Sequence, residues 1–121
     1  MAPPNTSNAA QLEFWNGPTG QRWTRLAQQI DANLRPFTDE LIRRLAPQPG
    51  ERVVDVGCGA GDTTLALAER VQGHGFVLGV DISRPLLQRA TARAANTPEY
   101  PIRFVEADAA GHGFERGSFD A

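Results

Sequence analysis

Three short stretches of this chain end in residues that could grip a polar ligand. Asp55-Val56-Gly57-Cys58-Gly59-Ala60-Gly61 sets three glycines within five residues directly after a β-branched run. Asp81 closes the apolar run Phe76-Val77-Leu78-Gly79-Val80, and Asp108 follows Ile102 to Val105. Glycines between a strand and a helix remove side chains where the backbone bends sharply, and the free N–H groups of the helix start then converge on an anion or a polar tail. A carboxylate 20 residues beyond Gly61, at the end of the next strand, can accept hydrogen bonds from both hydroxyls of a ribose. Asp108, one strand further out, falls within reach of an exocyclic amine on an adenine ring.

Other chemistries lack their residues. All twelve basic residues are arginine, so neither a P-loop lysine nor a Schiff-base lysine is available in this chain. One cysteine and two histidines, none at ligand spacing, argue against a metal centre or a disulfide framework. Cys58 reads as a small space-filler, with no histidine nearby in sequence to activate it. His74 and His112 lie between glycines in loops and read as exposed, and Glu106 reads as facing solvent. Gly61 reads as a site of close helix packing, Asp62 as a helix N-cap, and Trp15 and Trp23 as core or lid packing.

The elements that must position these residues follow from periodicity. Residues 1–10 are small, polar and proline-containing and are expected to be a disordered tail. Residues 11–46 form a helical segment with a turn at Asn16-Gly17-Pro18-Thr19-Gly20. Trp23, Leu26, Ala27, Ile30 and Leu34 predict one amphipathic helix over 21–34, and Pro36 ends it or begins the next. Phe37, Leu41, Ile42 and Leu45 predict a second, stopped by Pro47-Gln48-Pro49-Gly50. From residue 47 the pattern alternates. Val53, Val54 and Val56 read as a strand covered on both faces, and Leu65, Ala68 and Val71 as the apolar stripe of a helix after it. A second strand ends at Asp81; Ser83 caps a helix with Pro85 in its first turn; a third strand covers 102–105. This alternation predicts an α/β fold with a parallel sheet and right-handed crossovers. Ser118-Phe119-Asp120-Ala121 reads as the opening of a fourth strand, so the chain is expected to be an amino-terminal fragment. Its first strand would then lack a neighbour on one edge, which predicts self-association.

Taken together, Asp55-Val56-Gly57-Cys58-Gly59-Ala60-Gly61, Gly79-Val80-Asp81-Ile82-Ser83, Phe104-Val105-Glu106-Ala107-Asp108-Ala109 and Ser118-Phe119-Asp120-Ala121 resemble the successive signature segments of class I S-adenosylmethionine-dependent methyltransferases of the small-molecule type. The resemblance runs from about Glu51 to the end. It implies a Rossmann-like three-layer α/β/α sheet of seven strands. This chain would hold three of them and the start of the fourth, preceded by N-terminal helices, with 47–121 as a partial cofactor-binding domain. It also implies roles. Asp55 and the backbone of Gly57, Cys58 and Gly59 would hold the methionine end of S-adenosylmethionine. Asp81 would take the ribose hydroxyls, Ile82 would pack on the adenine, and Asp108 with the N–H of Ala109 would meet the adenine edge. Trp23 or a neighbour would close over the methionine moiety.

The expected activity is methyl transfer from S-adenosylmethionine to a small-molecule acceptor, giving S-adenosylhomocysteine, with no catalytic base assigned. A nicotinamide-dependent oxidoreductase is the second reading, but its fingerprint needs a glycine three residues after Gly59, where Asp62 stands. A third reading is a non-catalytic cofactor-binding or assembly fragment. A net charge of −2 with dispersed arginines argues against nucleic-acid partners. The lack of a long apolar stretch argues against a membrane partner, and single-cysteine usage suits the cytoplasm.

Overall fold

The computed structural model describes residues 8–121. Three parallel strands, β1 (Arg52–Val56), β2 (Phe76–Asp81) and β3 (Ile102–Glu106), lie in the order β1-β2-β3. Val53 pairs with Val77, and Val77 with Ile102. Helix α4 (Asp62–Val71) joins β1 to β2, and α5 (Arg84–Ala94) joins β2 to β3. Both crossovers step across the sheet in the same direction, so their common right-handedness sets α4 and α5 on one face. Val53 and Val77 from that face meet Leu67, Ala68 and Val71 of α4 and Ile42 of the N-terminal segment in the main core. Gly79 is essential to this layer, because a Cβ there would lie 2.6 Å from the Phe104 ring and 3.0 Å from Cys58 Sγ.

Beyond β1 the chain begins a fourth strand position. The Asp120 N–H donates to Arg52 O at 2.7 Å and the Val54 N–H donates to Ala121 O at 2.9 Å, with both segments running the same way. The outer edge of β1 is thus engaged over Arg52 to Val54, and the expectation of a wholly unpaired edge is corrected to that extent. Coverage of β1 also differs from expectation. Val53 is buried, but Val56 is 59% exposed, because it ends the strand at the mouth of a cleft instead of beneath a helix.

Three helices precede the sheet: α1 (Ala9–Asn16), α2 (Pro18–Arg25) and α3 (Ala27–Leu45). Helix α1 starts inside the stretch expected to be a disordered tail, and residues 1–7 of that tail lie outside the described residues. The expected helix over 21–34 divides at Leu26 (φ −98°, ψ 7°). Its N–H still reaches Arg22 O and its carbonyl still accepts from Ile30 N. The offset lets α2 pack on α5 while α3 packs on α4. Pro36 neither ends one helix nor begins the next, as its ring and missing N–H had suggested, but lies inside α3. Ala27 is buried against Ala60 and Leu86 on one side of it, and Ile42 is buried in the main core on the other. Burial at both ends outweighs a local cost of about 3 kcal/mol for an interior proline. Among the described residues no helix is long and apolar enough to cross a membrane.

Candidate functional site

The carboxyl ends of the three strands open into one cleft of about 370 Å³, lined by Gly57 and Gly59, by Asp81 and Ile82, and by Ala107 and Ala109. Trp15 and Trp23 roof it in edge-to-face contact, with ring centroids 5.3 Å apart. Its size falls in the range of about 300–1,000 Å³ usual for small-molecule sites, and its place beyond the strand ends is where open α/β sheets bind ligands.

The glycine turn is shaped for close approach. Gly57 and Gly59 have φ of +73° and +55°, and a Cβ on either would project into open space. Side chains at these positions would be strained and would fill the cleft, so the bare backbone forms a cradle. The turn and β2 meet directly: the Gly59 N–H donates to Asp81 Oδ2 at 2.8 Å, and the Ser83 N–H donates to Asp81 Oδ1 at 2.8 Å. Each carboxylate oxygen keeps further acceptor capacity toward the cleft.

Asp55 lies under the turn, where its Oδ2 accepts from the Thr64 hydroxyl at 2.7 Å. Burial pushes its carboxyl above the usual range; the Thr64 bond opposes this, and the charge of Asp81 adds to it. A carboxyl held more protonated in the native state contributes stability that is complete at acid pH and lost as pH rises through its raised value. Asp55→Asn, which keeps an acceptor for Thr64, is therefore expected to be more stable than the parent chain at pH 7, with the gain disappearing below about pH 4, the ordinary carboxylate range. Urea unfolding at the two pH values checks this, and an equal gain at both would contradict it.

Cys58 is buried beneath the same turn. Burial, then the charges of Asp55 and Asp81, push its thiol up to about 12. It carries no thiolate at neutral pH and is space-filling, as its sequence context suggested. Gly61 also matches its sequence reading, since a Cβ there would come within 3.0 Å of Ala90 Cβ on α5.

Two expected placements differ. Asp62 is the first residue of α4 instead of its N-cap, a position taken by Gly61. Its carboxylate meets Arg35 at 3.3 Å and Arg93 at 3.4 Å, since charged partners from α3 and α5 compete successfully for it. Asp108 lies between two residues that line the cleft without lining it itself, and its carboxylate accepts from Asn8 Nδ2 at 2.7 Å and from the Ala110 N–H at 3.0 Å. The flanking Ala107 and Ala109 line the cleft in its place. Asn8 thus holds Asp108 from within the segment expected to be a disordered tail.

Sequence reasoning missed the fastening between the N-terminal helices and the loop after β2. Asn16 Nδ2 donates to Ile82 O at 2.7 Å, Asn16 Oδ1 accepts from the Arg84 N–H at 2.8 Å, and the Ser83 hydroxyl donates to Trp15 O at 2.6 Å. An Asn before Gly-Pro signals only a turn, and nothing in local spacing points to partners more than sixty residues away.

Residues 53–121 match the methyltransferase domain family. The chain is 37% identical over 100 residues to nocamycin O-methyltransferase of Saccharothrix syringae, covering 79% of this chain and 36% of that protein. It is 39% identical over 100 residues to 2-phytyl-1,4-naphtoquinone methyltransferase of Trichormus variabilis, covering 82% and 42%. It spans about two-fifths of the length of these curated relatives. Magnesium protoporphyrin IX methyltransferase of Synechocystis PCC 6803, solved with S-adenosylmethionine bound, shares the fold at a TM-score of 0.72 and 23% identity, over 93% of this chain and 60% of that one. A parallel sheet whose glycine turn is tied to the acid ending the second strand, joined to a family match over more than half of the sequence, makes this chain a member of the methyltransferase domain family.

Proposed function

We propose that the cleft holds S-adenosylmethionine and that the protein built on this chain transfers its methyl group to a small-molecule acceptor. The observation that carries this reading is the hydrogen bond from the Gly59 N–H to Asp81, which brings a glycine cradle and a ribose-binding carboxylate to one rim. In this reading Asp81 accepts from the ribose hydroxyls with its unused acceptor capacity, already oriented by Gly59 and Ser83. Ile82, in the cleft wall, packs on the adenine. The Ala109 N–H meets a ring nitrogen, and Asp108, between the cleft-lining Ala107 and Ala109, accepts from the exocyclic amine with the lone pairs that Asn8 and Ala110 leave free. The backbone of Gly57, Cys58 and Gly59 lies along the methionine end, and Asp55 answers its positive charge from below. Asp55 also gives binding a direction with pH, since protonation of its raised carboxyl on acidification removes that charge and weakens affinity.

When bound, the cofactor supplies a methyl group already activated by the sulfonium, with a neutral leaving group. The chain's contribution is alignment and exclusion of water, which is catalysis by proximity and orientation. Trp15 and Trp23, which line the cleft, give it an apolar cover. The names of the two relatives, an O-methyltransferase and a naphthoquinone methyltransferase, support a small organic acceptor.

Calorimetric titration of this chain with S-adenosylhomocysteine and, separately, with NAD tests the reading. Saturable heat with the first and none with the second is expected. Binding of NAD alone, or of neither compound, would contradict it.

A further inference from the structure

We infer that Arg93 is a positioning residue that holds the glycine turn in its ligand-ready shape and seats α3 against it; this rests on the reading of the cleft given above. Arg93 lies in the last turn of α5, and its guanidinium gathers three acceptors from three separate places. Nη1 donates to Asp31 Oδ2 of α3 at 2.7 Å and to the Ala60 carbonyl at 3.0 Å, and Nη2 donates to Asp62 Oδ1 of α4 at 3.4 Å. Arg35 Nη2 shares that same Asp62 oxygen at 3.3 Å. The side chains of Arg93, Asp31 and Asp62 are only 24%, 17% and 13% exposed, so these pairs are partly removed from water and stronger than surface ones.

The turn needs such fastening. Gly57 and Gly59 have nothing within 4 Å of where a Cβ would stand, so side-chain packing does not hold them, and glycine backbone is the freest in the chain. Two anchors remain. Asp81 holds Gly59 by its N–H from the cleft side, and Arg93 holds the next residue, Ala60, by its carbonyl from the opposite side. Between them they fix the peptide that leads into Gly61 (φ +88°) and the start of α4. The Asp31 bond extends this hold to α3, whose Ile30, Leu34 and Thr38 face the glycine turn across a smaller cavity of about 180 Å³. Only a planar fork with several N–H donors serves three such acceptors at once; an ammonium on a lysine stem would keep the charge but lose the geometry.

Amide hydrogen exchange together with S-adenosylhomocysteine titration, on the whole chain, tests this in Arg93→Met, Arg93→Lys and the double variant Arg93→Met/Asp31→Asn. The double variant removes the carboxylate that Arg93→Met alone would leave unpaired, so it keeps the test open if the single variant unfolds. In the double variant, exchange over residues 57–62 is expected to accelerate by about tenfold or more while β2 amides keep their protection. The dissociation constant for S-adenosylhomocysteine should rise by about tenfold. Arg93→Lys should recover the melting temperature without recovering protection of the turn. Unchanged protection over 57–62, or loss shared equally by the turn and β2, would overturn the role. If the parent chain fails to bind S-adenosylhomocysteine, the cofactor reading falls, and the local exchange pattern still decides the role of Arg93.

Discussion

Asp81→Ala is expected to raise the dissociation constant for S-adenosylhomocysteine by about a hundredfold or more. Charge-assisted hydrogen bonds contribute about 1.5–3 kcal/mol each, and this carboxylate would supply at least two to the ribose. The loss has a second source within the protein. Without the carboxylate the N–H groups of Gly59 and Ser83, both now 2.8 Å from an Asp81 oxygen, lose their acceptor, and the glycine turn loses its anchor on the cleft side. Asp81→Asn should not rescue binding, because whichever way its amide is turned, an NH2 faces one of those two donors. Calorimetry paired with thermal melting checks this, and affinity within about threefold of the parent in either variant would refute the assignment of Asp81.

Gly20→Ala is expected to unseat the roof of the cleft. A Cβ on Gly20 would stand 1.8 Å from Trp15 O and 2.7 Å from its carbonyl carbon. These are backbone atoms, so no rotamer change relieves the clash, and α1 must move away from α2. That same carbonyl accepts from the Ser83 hydroxyl, and the adjoining Asn16 holds Ile82 and Arg84, so one methyl group breaks the fastening between the N-terminal helices and the loop after β2. Overpacking of this kind costs about 1–3 kcal/mol or more. The expected signature is local: red-shifted tryptophan emission as Trp15 and Trp23 separate, faster proteolysis before Ala27, and weaker S-adenosylhomocysteine binding, with the strand core intact. Emission and melting both matching the parent would contradict the role of Gly20.

The contrast between these sites shows what the sequence could convey. The strand ends, the glycine turn and Asp81 were legible because each depends on neighbours along the chain. An apolar run bounded by turn residues defines a strand, glycines define where the backbone can bend, and the right-handed crossover rule then brings consecutive strand ends to one rim. The meeting of the turn with Asp81 followed from those local facts. The helical segment was less legible. Pro36 reads as a stop in any local window, yet α3 runs through it because Ala27 and Ile42 are buried on either side.

The sequence by itself determined the parallel α/β order, the glycine cradle, the acid at the end of β2 and the lack of any lysine, all properties of residue type and short-range spacing. Only the tertiary structure decided that Asp62 would serve ion pairs instead of a cap, that Asn8 would engage Asp108, that Asn16 and Ser83 would tie the roof to the cleft, and that Arg93 would hold the turn from behind. Each of these is a contact between groups distant in the chain. The energy of such contacts comes from complementary charge and hydrogen bonding in partly water-free surroundings, and those surroundings exist only after the helices and strands have packed.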